Sequence, residues 1–134
     1  MDEEDFKDIL CQMTDKNKAA RKKGLENGHK LLKKNIADLS EEQREEIMRI
    51  VLRSLSDKSE RCREVSCDIC TFIFTQLSKE DLQKMLPFLF QVFARRLSME
   101  EEYEPSEEVR VKMMELLTCL FEIFTTELQG NMIF

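Results

Sequence analysis

Asp57-Lys58-Ser59-Glu60-Arg61-Cys62-Arg63 decides the reading of this chain. Before it, Ile47, Ile50, Val51, Ser54 and Leu55 carry a helical period. After it, Cys62, Val65, Ile69, Ile73 and Leu77 carry another, with a second stripe at Cys67, Cys70 and Phe74. Asp57-Lys58-Ser59 is therefore a short turn between two amphipathic helices, with an acid at the turn and an arginine six positions later. The arrangement recurs at Asp15 and Arg21 and at Glu104 and Arg110, which places the three arginines 42 and 47 residues apart. The register continues downstream: Leu25, Cys67 and Met114 are equivalent, as are Leu31, Ile73 and Leu120, then Leu32, Phe74 and Phe121.

Paired helices repeating every ~40–47 residues are the pattern of HEAT and armadillo units. Stacking such hairpins brings each arginine near its own or a neighbouring carboxylate, so Asp15, Arg21, Asp57, Arg63, Glu104 and Arg110 form candidate register ion pairs. Exposed pairs of this kind stabilise little; their value lies in setting the stacking register.

The helices follow from caps and periods. Helix one is expected over Glu3–Met13, on Phe6, Ile9, Leu10 and Met13, and helix two over Lys16–Lys34, on a thin stripe of Leu25, Leu31 and Leu32. Helix three starts at Ser40, whose spacing to Gln43 is that of a capping box. Helix four is expected over Glu60–Leu77 and helix five from Ser78 to Leu97, with Pro87 inside it removing one hydrogen bond. Ser106 caps helix six, which runs to Gln129, where Gly130 is suited to end it in a left-handed conformation. The expected fold is all-α: a right-handed α-α superhelix of three HEAT-like hairpins in one domain over 1–134, with repeats near 3–35, 40–77 and 79–129.

Composition agrees. The 134 residues are 42% hydrophobic and 36% charged, with only three Gly and two Pro, which suits a folded helical chain with short loops. The net charge of −6 argues against a nucleic-acid or anionic-membrane partner for the chain as a whole. No apolar run reaches 18 residues, and the acidic start Met1-Asp2-Glu3-Glu4-Asp5 is unlike a secretory signal. Five cysteines, an odd number, read as reduced thiols in a cytoplasmic protein. Apolar residues surround helix six: Val111, Met114 and Leu117 on one side, Leu116, Leu120 and Phe124 on another. The first repeat has a polar outer face and the last has no polar cap. The chain thus reads as the N-terminal part of a longer solenoid, prone to self-association through helix six unless Met132–Phe134 folds over it.

Cys62, Cys67 and Cys70 have the C-x4-C-x2-C spacing of some iron–sulfur ligands, but on a periodic helix that spacing spreads them around the cylinder, as buried core residues. His29 is the sole histidine, in a Lys-rich helix, and no catalytic constellation can be built without it. Gly24 and Gly28 in a polar helix read as close helix packing. Lys16 to Lys34 holds eight Lys/Arg and one acid, Glu26; Met99 to Glu108 holds six Glu around Tyr103. Lys22, Lys23 and Lys30, and Glu101, Glu102 and Tyr103, are the candidate partner contacts. No catalytic residue, cofactor or metal is expected.

Two stretches are more specific than a generic hairpin: Leu55-Ser56-Asp57-Lys58-Ser59-Glu60-Arg61-Cys62-Arg63-Glu64, and Leu86-Pro87-Phe88-Leu89 through Ala94-Arg95-Arg96-Leu97 to Glu104-Pro105-Ser106-Glu107-Glu108-Val109-Arg110 and Glu115-Leu116-Leu117. From Lys16 to Thr125 the chain resembles the N-terminal region of the HEAT-repeat dynein axonemal assembly factors. The resemblance implies a large cytoplasmic solenoid, acting as a scaffold or co-chaperone in preassembly of axonemal dynein arms for motile cilia, with dynein chains and other assembly factors or chaperones as partners. The alternatives are another HEAT adaptor, of tubulin-binding, transport or phosphatase-scaffold type, or a redox protein built on the cysteine triplet.

Overall fold

The computed structural model describes residues 2–99 and 102–131. Among them the chain is all-helical, with six α-helices and no strand, consistent with a helical-repeat superhelix. The helices are α1 (Glu3–Met13), α2 (Lys18–Asn35), α3 (Glu41–Ser54), α4 (Glu60–Gln76), α5 (Lys79–Leu97) and α6 (Glu107–Asn131). Residues fall into two compact units, 1–69 and 70–134.

In the first unit α1, α2 and α3 each begin on a side-chain acceptor. The Asp2 carboxylate accepts from the Asp5 N–H at 2.8 Å and the Asn17 side chain from the Ala20 N–H at 3.0 Å. Asn17 therefore sets the start of α2 at Lys18, two residues later than the periodicity suggests. Ser40 and Gln43 close the expected capping box on α3, at 3.1 and 3.0 Å. The segment between α2 and α3 makes a 3₁₀ turn, Ile36–Asp38. Phe6, Leu10 and Met13 of α1, Leu25, Leu31 and Leu32 of α2, and Ile47, Met48, Val51 and Leu52 of α3 are buried.

Helices α1 and α2 approach closely because α2 has glycine where they cross. A Cβ at Gly24 would lie 2.3 Å from the Gln12 main-chain carbon and 2.5 Å from the Met13 nitrogen; one at Gly28 would lie 2.8 Å from the Met13 sulfur. The G-x-x-x-G spacing thus serves soluble helix packing, and neither glycine has a positive φ.

In the second unit α5 begins at Lys79, with Ser78 accepting from the Asp81 N–H at 3.2 Å, and remains helical through Pro87 to Leu97. Ser106 caps α6 by accepting from the Val109 N–H at 3.3 Å. Ile73, Phe74, Leu82, Leu89, Val92, Phe93, Val109, Met113, Leu116 and Leu120 are buried. Gly130 does not end α6: the helix continues to Asn131, and no described glycine is left-handed. Met132–Phe134, the proposed makeshift cap, lie outside the described residues.

Candidate protein-binding surface

The three acid–arginine turns share one local design. Each acid's side chain turns back to the N–H two residues on: Asp15 accepts from Asn17 at 2.8 Å, Asp57 from Ser59 at 2.8 Å and Glu104 from Ser106 at 3.1 Å. This fold-back shapes the turn into the second helix of each hairpin. Six positions later the arginine reaches back and donates through Nη1 to the acid's own main-chain carbonyl oxygen. The distances are 2.9 Å for Arg21 to Asp15, 2.9 Å for Arg63 to Asp57 and 2.8 Å for Arg110 to Glu104. Arg21 and Arg63 also reach the next carbonyl, of Lys16 and Lys58.

Between hairpins the first unit adds a second contact. Arg21 Nε donates to Asp57 Oδ2 at 2.7 Å and Nη2 to Asp57 Oδ1 at 2.8 Å, a bidentate pair with both side chains mostly buried. Burial alone would raise the Asp57 carboxyl. The Arg21 hydrogen bond, the Ser59 N–H and the charges of Arg21 and Arg63 more than reverse it and hold Asp57 below the usual carboxylate range. The same hydrogen bond raises Arg21, against the opposing effect of its desolvation.

Within the second unit Glu104 is held by Arg96. It is fully buried, its Oε1 meets Arg96 Nη2 at 3.0 Å, and its N–H donates to the Arg96 carbonyl at 2.7 Å. Arg96 thus fastens the exit of the α5–α6 connection to the last turn of α5. Sequence reasoning assigned Arg96 no role, since its partner lies across a longer connection that lacks a local pattern. Glu102 is exposed, 3.7 Å from Arg95. The Arg110 guanidinium carbon lies 5.9 Å from the ring centroid of half-exposed Tyr103, within cation–π range. Glu101 lies outside the described residues. Lys23 and Lys30 are exposed on α2, and Lys22 is half-buried, 3.9 Å from Glu26. The Lys group belongs to the first unit and Glu102 and Tyr103 to the second.

Cys62, Cys67 and Cys70 are buried, and among the described residues no cluster of three or more His, Cys, Asp or Glu could hold a metal. No described helix is long and apolar enough to cross a membrane.

Large exposed apolar residues concentrate in the second unit: Phe88 and Phe90 on α5, then Met99, Tyr103, and Val111, Met114 and Phe121 on α6. Leu116 and Leu120, on the other stripe of α6, are buried. Between α5 and α6 lies a groove of about 400 Å³, lined by Phe90, Phe93, Ala94, Leu97, Leu117 and Phe121, among others. Sequence analysis gave Phe88 and Phe90 no surface role; they flank Leu89, which is fully buried, and both are exposed.

Hairpins of paired helices, each braced by the same acid–arginine turn and leaving an apolar groove, define a helical-repeat protein. Residues 12–132 match the family model for dynein axonemal assembly factor 5-like proteins, described as TPR repeats, and the chain belongs to that family. The arginine spacing of 42 and 47 residues is nearer to HEAT units than to the ~34 of tetratricopeptide repeats. The chain is 37% identical over 78 residues to dynein axonemal assembly factor 5 of Xenopus laevis. That alignment covers 58% of this chain and 9% of the relative, so the chain spans a small part of that protein's length. No solved structure matches the chain.

Proposed function

We propose that this chain is a non-enzymatic protein-binding scaffold in the assembly of axonemal dynein, acting in the cytoplasm as a co-chaperone before the arms enter motile cilia. The observation that carries the protein-binding part is the apolar surface on α5 and α6, where Phe90, Val111, Met114 and Phe121 stand in solvent. Exposed apolar patches on folded chains mark interfaces. Family membership and the name of the Xenopus laevis relative support the dynein part. The partners are dynein chains and other assembly factors or chaperones.

Affinity capture tests this, with the chain as bait in cytosol from ciliating cells and mass spectrometry as the readout. Axonemal dynein chains should be enriched, and Met114→Glu with Phe121→Glu should remove them. An eluate without dynein chains, or one unaffected by the double variant, rejects the proposal.

A further inference from the structure

Helix α5 closes on Arg95-Arg96-Leu97-Ser98-Met99. Arginines at the third and second places before a serine, with an apolar residue after it, form the charge pattern by which arginine-directed protein kinases select substrates. Of the serines and threonines in the chain, Ser98 alone has both arginines. Ser56 and Ser66 have arginine at the third place only, and Ser66 is fully buried.

The structure places this pattern where an enzyme can reach it. Ser98 is the C-cap of α5, and its backbone has already left the helix for an extended conformation, with φ −81° and ψ 169°. Its hydroxyl donates to the Arg95 carbonyl at 3.1 Å, at the surface. Met99, next along, is 96% exposed. The two arginines differ. The Arg95 side chain is half-exposed, and its contact with exposed Glu102 is long, at 3.7 Å. The Arg96 side chain is mostly buried, 3.0 Å from the fully buried Glu104 carboxylate. A kinase can therefore read Arg95 on the folded chain, and it reads Arg96 when the last turn of α5 frays, as helix ends do most readily.

We infer that Ser98 is a phosphorylation site for an arginine-directed serine kinase using ATP, and that the attached phosphate is held by Arg95. In the transfer Ser98 Oγ bonds to the γ-phosphorus, and the bond from that phosphorus to its bridging oxygen breaks. ADP leaves, and the hydroxyl proton passes to the carboxylate base of the kinase. The esterified oxygen can no longer donate to the Arg95 carbonyl, and a group of nearly two negative charges then stands at the negative end of α5. Both effects turn it away from the main chain and toward a cation. Arg96 stays in place, because its departure would strand the buried Glu104 carboxylate. Arg95 gives up only a long, exposed contact, and its planar fork fits phosphate bidentately. The inference goes beyond the dynein reading and does not depend on it.

The test uses the intact 134-residue chain, ATP and, as the arginine-directed probe, the catalytic subunit of cyclic-AMP-dependent protein kinase, well below the thermal midpoint of the chain. One phosphate per chain should appear, located on Ser98 by tandem mass spectrometry, and Ser98→Ala should take up none. Arg95→Gln, a change at an exposed side chain, should lower the initial rate by about tenfold, since it removes the arginine that is open to the enzyme. In the phosphorylated wild type the Arg95 Nε–H resonance should shift while that of Arg96 stays in place. Phosphorus NMR should give the phosphate a midpoint below the ordinary value of about 6, because a neighbouring cation favours the dianion. No incorporation into the folded chain, incorporation chiefly at another residue, or a rate indifferent to Arg95→Gln overturns the site. A resonance shift at Arg96 in place of Arg95, or a midpoint at or above about 6, overturns Arg95 as the holder of the phosphate.

Discussion

Arg21 holds Asp57, 36 positions away, by two parallel hydrogen bonds of 2.7 and 2.8 Å, while its Nη1 stays on the carbonyls of Asp15 and Lys16. One guanidinium thus ties the turn of the first hairpin to the turn of the second. The geometry uses the planar fork of arginine, which a lysine ammonium cannot reproduce.

Asp57→Asn should therefore destabilise the chain by about 2–3 kcal/mol, because it removes a charged acceptor from a mostly buried fork. Arg21→Lys should cost about 1–2 kcal/mol, since charge remains while the fork and the carbonyl contacts are lost. Urea unfolding measures both. Losses below about 0.5 kcal/mol would place this pair with ordinary surface pairs.

The pH dependence has a defined sign. Asp57 is depressed in the folded chain, so its contribution is complete above the unfolded carboxyl value, about 4, and is lost as pH falls through the lower folded value. Urea midpoints of wild type and Asp57→Asn should differ by a constant amount at pH 6–8 and converge as pH drops below about 4. A difference that persists or grows in acid would mean the carboxylate charge is not what stabilises the pair.

Gly24→Ala should be more damaging than Gly28→Ala. At Gly24 the added methyl meets the Gln12 and Met13 main chain, which can yield only by moving α1. At Gly28 it meets the end of the Met13 side chain, which can rotate. We expect a loss above about 2 kcal/mol at Gly24 and about 1 kcal/mol at Gly28. Equal losses measured by thermal unfolding would show that the crossing relaxes as a whole.

Ile73→Ala should cost about 2–4 kcal/mol, since Ile73 is fully buried and its removal leaves a cavity. Lys22→Ala should change stability by less than about 0.5 kcal/mol, the Lys22–Glu26 contact being long and exposed. Similar losses at both positions would contradict the division between core and surface.

Much of the fold was legible because it is local. The Ser40–Gln43 box, the Ser78 and Ser106 caps and the Asp57-Lys58-Ser59 break each rest on residues two or three apart, and their hydrogen bonds form where the sequence suggests. Periodicity placed the start of α2 near Lys16, two residues early, because it does not register the Asn17 side chain that caps Lys18 onward. Gly130 carried a stop signal that α6 does not use. At the candidate site the acid and arginine positions were legible but their atoms were not. The spacing suggested each arginine near its own or a neighbouring carboxylate; within a turn the arginine meets the main-chain carbonyl and the acid an N–H, while Arg21 also reaches the neighbouring Asp57. Periodicity places residues on faces; it says nothing of which end of a side chain arrives first.

Because every arginine is first fastened to the carbonyl of its own turn, its orientation is settled when the hairpin itself forms. The long side chain has then already lost most of its rotamer freedom, and an arriving carboxylate has only its own ordering to lose. At the Arg21–Asp57 junction the donor edge is therefore set by the first hairpin, and the second need supply only a carboxylate at its turn.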